Sequence, residues 1–361
     1  MIEECKMKLG LIGFPQVGKR TLFRLLTGKE SEPENGKGEV QGLARVRDER
    51  FERLVEIYRP RLETPAQIEF SLLPDLEKQA ERNTGTWRVL EKMDVICHLV
   101  RAFPEETVFH IAGSVDPRRD ITVLNEELQL NDLLFIEKRI ERLEKERGRN
   151  GDGRRAAQEK ELLNRMKDHL EGGRFLSDFP FTDEEQKLVS AYIFLTRKPM
   201  ILILNIGEDQ LRSPGLIDQL AADFPGQAFQ WIAVSAKIEE ELSRLDEEER
   251  QAFWEELNIA QPALDRLTLV CYRTLGLISF FTVGPDEVRA WTNRKESSAP
   301  RAARVIHSDI ERGFIRAEVI KYGDLIHLGN EKKVREAGKL LQKGRDYVVE
   351  DGDIINFLFN V

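Results

Sequence analysis

The tightest constraint on this chain lies near its start. A short apolar run, Leu9, Leu11 and Ile12, enters Gly13-Phe-Pro-Gln-Val-Gly-Lys19, and an amphipathic stretch from Thr21 to Leu26 follows. A buried strand, a glycine-bearing turn and a helix in that order make the backbone N–H groups between Gly13 and Lys19 converge on an anion at the helix N-terminus. The candidate phosphate-binding residues are therefore Gly13, Gln16, Val17, Gly18, Lys19, Arg20 and Thr21, with Lys19 reaching the outer phosphates. Arg20 stands where such loops carry a magnesium-binding serine or threonine, and a guanidinium has no lone pair for a cation. Thr21 brings a hydroxyl one position late, a rotation of about 100° along a helix. The bland alternative is a turn that needs positive φ at Gly13 or Gly18 and binds nothing.

Buried-strand signals recur at Leu9 to Gly13, Ile68 to Leu73, Val95 to Val100, Ile201 to Asn205 and Trp231 to Ser235, with helical stretches between them. That alternation predicts an α/β fold, a mostly parallel sheet covered by helices on both faces, with Val40 to Val46 as an edge strand. Between the third and fourth of these strands, Leu133, Ile136, Ile140 and Leu143, then Leu162, Leu163, Met166 and Leu170, repeat every three or four residues around a break from Arg149 to Gly153. The spacing predicts two helices in an antiparallel hairpin. From Leu277 the pattern shifts to short strands and turns, and Asp351-Gly352 between apolar runs predicts a hairpin in a small mixed domain. The expected division is a nucleotide-binding domain over 1–130 and 199–277, a helical insertion over 131–198 and a small α+β domain over 278–361.

At 361 residues the chain has room for two or three domains. Its 55 basic and 64 acidic residues give a net charge of −9, which argues against a globally basic nucleic-acid binder and shows no DNA specificity. A local run, Arg289, Arg294, Lys295, Arg301 and Arg304, nevertheless suits phosphates. Cys5, Cys97 and Cys271 lack metal-ligand spacing and no metal site is expected. A charged N-terminus and the lack of long apolar runs predict a soluble, cytoplasmic protein without membrane association.

Two more loops fall at the C-terminal ends of expected strands, where open α/β sheets bind ligands. Asn205-Ile-Gly-Glu208 and Ser235-Ala236-Lys237 are the candidate base-binding residues. The usual base-reading motif is Asn-Lys-x-Asp. Here Glu208 is a methylene longer and Ile206 replaces the lysine, which weakens a guanine preference and brings in adenine. His98 sits in a buried strand pattern and reads as a core histidine, and His307 reads as structural. Neither has a partner at a recognisable hydrolytic spacing, so catalytic residues stay unassigned.

On the residues Gly13-Phe-Pro-Gln-Val-Gly-Lys-Arg-Thr-Leu-Phe-Arg-Leu-Leu-Thr-Gly28, the loop Asn205 to Glu208, and the C-terminal motifs Glu287 to Thr292, Gly313 to Ala317, Glu336 to Lys339 and Asp351 to Val361, the chain resembles the YchF-type P-loop NTPases, the Obg-like ATPases. The resemblance spans nearly the whole chain. It implies a P-loop domain interrupted by a helical coiled-coil hairpin and followed by a TGS domain, with ATP or GTP binding, slow hydrolysis and association with ribosomes or RNA.

Three departures from the family pattern fall on one function. Arg20 replaces the hydroxyl, no threonine occurs between Thr27 and Thr64, and Leu72-Leu-Pro-Asp-Leu76 stands where the family reads Asp-Ile-Ala-Gly-Leu. Asp75 thus takes a glycine position that faces the γ-phosphate, where its charge disfavours a triphosphate. The expectation is a purine nucleotide-binding protein, for ATP, GTP or the diphosphate, with weak or absent magnesium binding and impaired hydrolysis. The rival is a nucleotide-independent ribosome or RNA interaction module that keeps the sheet as a scaffold.

Overall fold

The computed structural model describes residues 7–30, 39–77, 83–105, 107–146, 153–211, 215–256 and 261–360. Cys5, the break from Arg149 to Asp152 and residues 31–38 of the stretch before Gly42 lie outside them. The chain divides into two compact units, one built from 1–7, 42–69 and 264–361, the other from 8–41 and 70–263.

The strands are β1 (Lys8–Ile12), β2 (Val40–Arg45), β3 (Leu62–Thr64), β4 (Gln67–Leu72), β5 (Val95–Arg101), β6 (Met200–Asn205), β7 (Gln230–Val234), β8 (Leu277–Thr282), β9 (Glu287–Arg294), β10 (Phe314–Lys321), β11 (Leu341–Lys343) and β12 (Asp353–Phe359). The first sheet runs β2-β4-β1-β5-β6-β7. β1 pairs with β5, β5 with β6 and β6 with β7, all parallel. Every residue of β5 and β6 is buried, as a parallel sheet covered on both faces requires. β2 takes the edge, where its expected strand was placed.

The helix that follows β5 starts at Pro117, well before the expected Asn131, and runs to Glu146. The reason is that Ile121, Leu124 and Leu128, all fully buried, carry the same apolar stripe backwards. Its partner spans Gly153–Glu171. All eight stripe residues read from the sequence meet in one apolar cluster with Phe179, Val189 and Phe194. Lys167 to Glu137, Arg139 to Glu159 and Lys160 to Glu144 bridge the two helices, and the order of these pairs makes them antiparallel.

The other unit holds the sheet β11-β10-β12-β8-β9-β3. β8 pairs antiparallel with β9 and β10 with β12, while β12 and β8 are parallel. The helix Ala299–Ile306 lays Ala299, Ala302 and Ala303 on Phe280, Trp291, Phe314 and Phe357. Small residues there let helix and sheet approach closely. Asp351-Gly352 makes a turn, with Gly352 at φ 91°, but no hairpin. Val348 makes only an isolated bridge to Ser298, and β12 goes on to pair with β10 and β8. The Asp351 carboxylate accepts from the Ser279 N–H and the Gly352 N–H donates to the Ser279 carbonyl, so the turn is tied to β8 instead.

Candidate functional site

β1 delivers the chain into the Gly13–Lys19 loop, and the helix Lys19–Thr27 begins directly behind it. Gln16 at φ 60° and Gly18 at φ 95° take the left-handed conformation, which turns successive N–H groups to one side. Neither flanking glycine has room for a side chain. A Cβ on Gly13 would stand 2.4 Å from the Leu99 carbonyl oxygen, and one on Gly18 would stand 2.4 Å from Asn205 Nδ2.

Asn205, 4% exposed at the end of β6, ties the candidate loops together. Its Nδ2 donates to the Val17 carbonyl at 2.9 Å, and its Oδ1 accepts from the Ala236 N–H at 3.0 Å. Thus the loop after β1 and the loop after β7 are held by one side chain. Ser235 and Ala236 are buried, and the Ser235 Oγ makes no hydrogen bond among the described residues. Lys237 is exposed, as is Glu208 at the start of the helix Glu208–Leu211.

Lys19 is 3% exposed, and its ammonium is already engaged. It donates to the carbonyls of Leu73 and Pro74 at 3.3 and 3.1 Å and pairs with Asp75 Oδ1 at 2.8 Å. Burial pushes its pKa down, with Asp75 opposing the shift. The segment after β4 is fixed against β1 by the Leu73 N–H to the Leu11 carbonyl and the Leu76 N–H to the Gly13 carbonyl. Arg20 is exposed and makes no ion pair among the described residues, and Thr21 is half-buried.

His98, as expected, lies in the core. It is fully buried on β5, neither ring nitrogen has a hydrogen-bond partner among the described residues, and burial pulls its pKa down to about 3. It is neutral and sits close enough to Lys19 for that charge to add to the shift.

Two features escaped the sequence reading. Arg101, 1% exposed at the end of β5, donates to the carbonyls of Phe103, Glu105 and Val108 at 3.2, 2.8 and 2.9 Å, and its guanidinium stacks on Phe103. An arginine closing a mostly apolar strand was the available signal. His110 and Asp120 form a buried pair, Nε2 to Oδ2 at 3.0 Å. The Ala112 N–H donates to His110 Nδ1, so Nε2 carries the proton toward Asp120.

Residues 277–360 match the family YchF-GTPase_C, described as a protein of unknown function (DUF933). The chain is 39% identical over 364 residues to the ribosome-binding ATPase YchF of Bacillus subtilis, covering 98% of this chain and 99% of that protein. It is 38% identical over 372 residues to human Obg-like ATPase 1, covering 98% and 92%. The solved structure of the Schizosaccharomyces pombe YchF GTPase superposes with a TM-score of 0.85 at 31% identity, over 98% of each chain.

Proposed function

The chain belongs to the YchF/Obg-like ATPase family, and from that premise we propose that it binds a purine nucleotide, ATP or GTP, at the Gly13–Lys19 loop and associates with the ribosome. The observation that carries the nucleotide reading is the nest itself. Left-handed Gln16 and Gly18, no space for a Cβ at Gly13 or Gly18, and a buried lysine at the helix start leave a surface of N–H donors that suits phosphate oxygens.

In this reading the N–H groups from Gln16 to Lys19 cradle the phosphates and Lys19 supplies the charge, after exchanging Asp75 for a phosphate oxygen. Asn205 keeps the cradle and the base-side loop, Ser235 to Lys237, in one geometry. Glu208, exposed at the start of the helix Glu208–Leu211, is the acceptor for a donor on the purine edge.

A magnesium ion fits this site poorly. The position of the usual hydroxyl ligand carries the Arg20 guanidinium, and the Asp75 carboxylate is bound to Lys19. No catalytic step is assigned to the metal. Hydrolysis is weak, because the same carboxylate that neutralises Lys19 in the free protein repels a γ-phosphate.

The names of the relatives support ribosome association; in this reading the helical hairpin is a coiled-coil arm and residues 278–361 are a TGS-like domain. Calorimetric titration with ATP, GTP, ADP and GDP, each with and without Mg²⁺, tests the site. Metal-insensitive binding that favours diphosphates is expected. Robust Mg²⁺-stimulated turnover overturns the weak-hydrolysis reading, and absence of any purine binding overturns the site. Co-sedimentation with ribosomes tests the second half, and a chain that stays in the supernatant at low salt overturns it.

A further inference from the structure

Read along the sequence, Arg289, Arg294, Lys295, Arg301 and Arg304 form a basic surface run. In space they line the wall of a single cavity of about 740 Å³, within the unit that contains β3, β8 and β9. A volume of this order is that of a small-molecule site, for which roughly 300–1,000 Å³ is usual. The strand β9 and the helix Ala299–Ile306 supply the cationic side, and the segment Thr64 to Glu69 closes another.

A second observation, independent of the charges, points to a ligand. Asn293 is among the residues lining the same cavity and is 7% exposed, and its Nδ2 makes no hydrogen bond among the described residues. Its Oδ1 accepts from the Arg294 N–H at 2.9 Å, which identifies Nδ2 as the atom left without a partner. A buried amide donor without an acceptor costs about 1–3 kcal/mol, and a rotation of the amide that brings Nδ2 to the cavity wall relieves it. Lys295 and Arg301 are exposed and make no ion pair among the described residues. Arg289 lies 3.8 Å over the face of Trp291, which holds its guanidinium in place.

We propose that this cavity is a second anion site, separate from the Gly13–Lys19 loop, which takes a small phosphorylated molecule of nucleotide size. Arg301 with Lys295 neutralises the charge, and the Asn293 amide turns to donate to a phosphate oxygen. Two carboxylates, Glu69 and Glu296, also line the cavity. They suit a ligand that carries hydroxyl or amine donors beyond its phosphate. The buried position of the Asn293 amide favours a free phosphate group that inserts over a polymer backbone that lies across the rim.

The test is ¹⁹F NMR of the full chain labelled with 5-fluorotryptophan. The four tryptophans, Trp87, Trp231, Trp254 and Trp291, are assigned by single Trp→Phe replacements. Inorganic pyrophosphate is the probe, and an RNA hexamer without terminal phosphates is the comparison. A saturable shift of the Trp291 resonance by pyrophosphate is expected, unchanged in Lys19→Ala and weakened about tenfold or more in Arg301→Glu, the loss of one charge-assisted contact. Arg301 is exposed, so the variant keeps the fold. Asn293→Asp, which preserves shape and reverses the hydrogen-bonding sense, is expected to abolish the shift. No saturable Trp291 response, equal affinity in Arg301→Glu, or a response to the RNA alone overturns the proposal. Because Lys19→Ala removes only the first site, failure of the nucleotide reading and failure of this one are told apart.

Discussion

Lys19 Nζ and Asp75 Oδ1 stand 2.8 Å apart, so the lysine of the phosphate loop meets its counterion inside the protein. The pair occupies the charge that an outer phosphate would use. A ligand must displace a carboxylate that is 41% exposed and therefore partly screened by water.

Asp75→Asn is therefore expected to raise affinity for ATP or GTP more than for the corresponding diphosphate. The diphosphate lacks the group that the carboxylate repels. A shift of about tenfold in the triphosphate-to-diphosphate ratio is the scale of one unit charge at a partly exposed site, read by calorimetry on both nucleotides. An unchanged ratio would show that Asp75 swings clear on binding.

Asn205→Ala removes two hydrogen bonds at once and strands the Val17 carbonyl and the Ala236 N–H in a buried setting. A loss of about 1–3 kcal/mol in unfolding free energy per stranded group sets the range. Nucleotide affinity should fall with it, since both candidate loops lose their common strut. Urea unfolding and nucleotide titration of the same variant separate the two effects.

The legibility of this chain divides along sequence distance. β5 and β6 were readable because each is a mostly apolar run that both faces bury, broken only by His98 and by the polar residues Arg101 and Asn205 at their ends, and the Gly13–Lys19 turn was readable because its glycines, lysine and strand are neighbours. Leu133 to Leu170 announced their hairpin by spacing alone. By contrast, β3 has three residues, with Leu62 exposed, and its partner β9 begins over 200 positions later, with Leu62 opposite Glu287. No local pattern encodes such a pairing. Arg101 and the His110–Asp120 pair were missed for a related reason. A buried polar group is defined by the atoms that satisfy it: for Arg101 they are carbonyls of an irregular loop, and for His110 the carboxylate of Asp120 ten residues on, and neither leaves a periodic pattern.

Arg101→Leu should loosen the loop from Phe103 to Phe109. The substitution leaves the carbonyls of Phe103, Glu105 and Val108 without the donor they share. Hydrogen exchange measured by mass spectrometry is expected to rise there, while protection of β5 and β6 is retained. Protection unchanged across 103–109 would mean that Phe103 packing alone holds the loop.

His98 makes stability depend on pH in a definite direction. Its folded pKa, about 3, lies below the ordinary value of 6.5, so the unfolded chain binds the proton more readily than the folded one. The contribution of neutral His98 is therefore complete above pH 6.5 and is lost progressively as the pH falls toward 3. Over the two pH units from 6.5 to 4.5 the loss from this one ring is about 2–3 kcal/mol. Carboxylates titrate in the same range, so the diagnostic quantity is a difference between proteins. His98→Leu removes the buried ring and its unpartnered nitrogens, and its unfolding free energy should fall less than that of the parent chain between those two pH values. Urea midpoints at pH 6.5 and 4.5 for both proteins give the answer. Parallel declines would mean that the ring is reached by water or by a proton partner before unfolding, since only a group that must stay neutral in the folded state produces the gap.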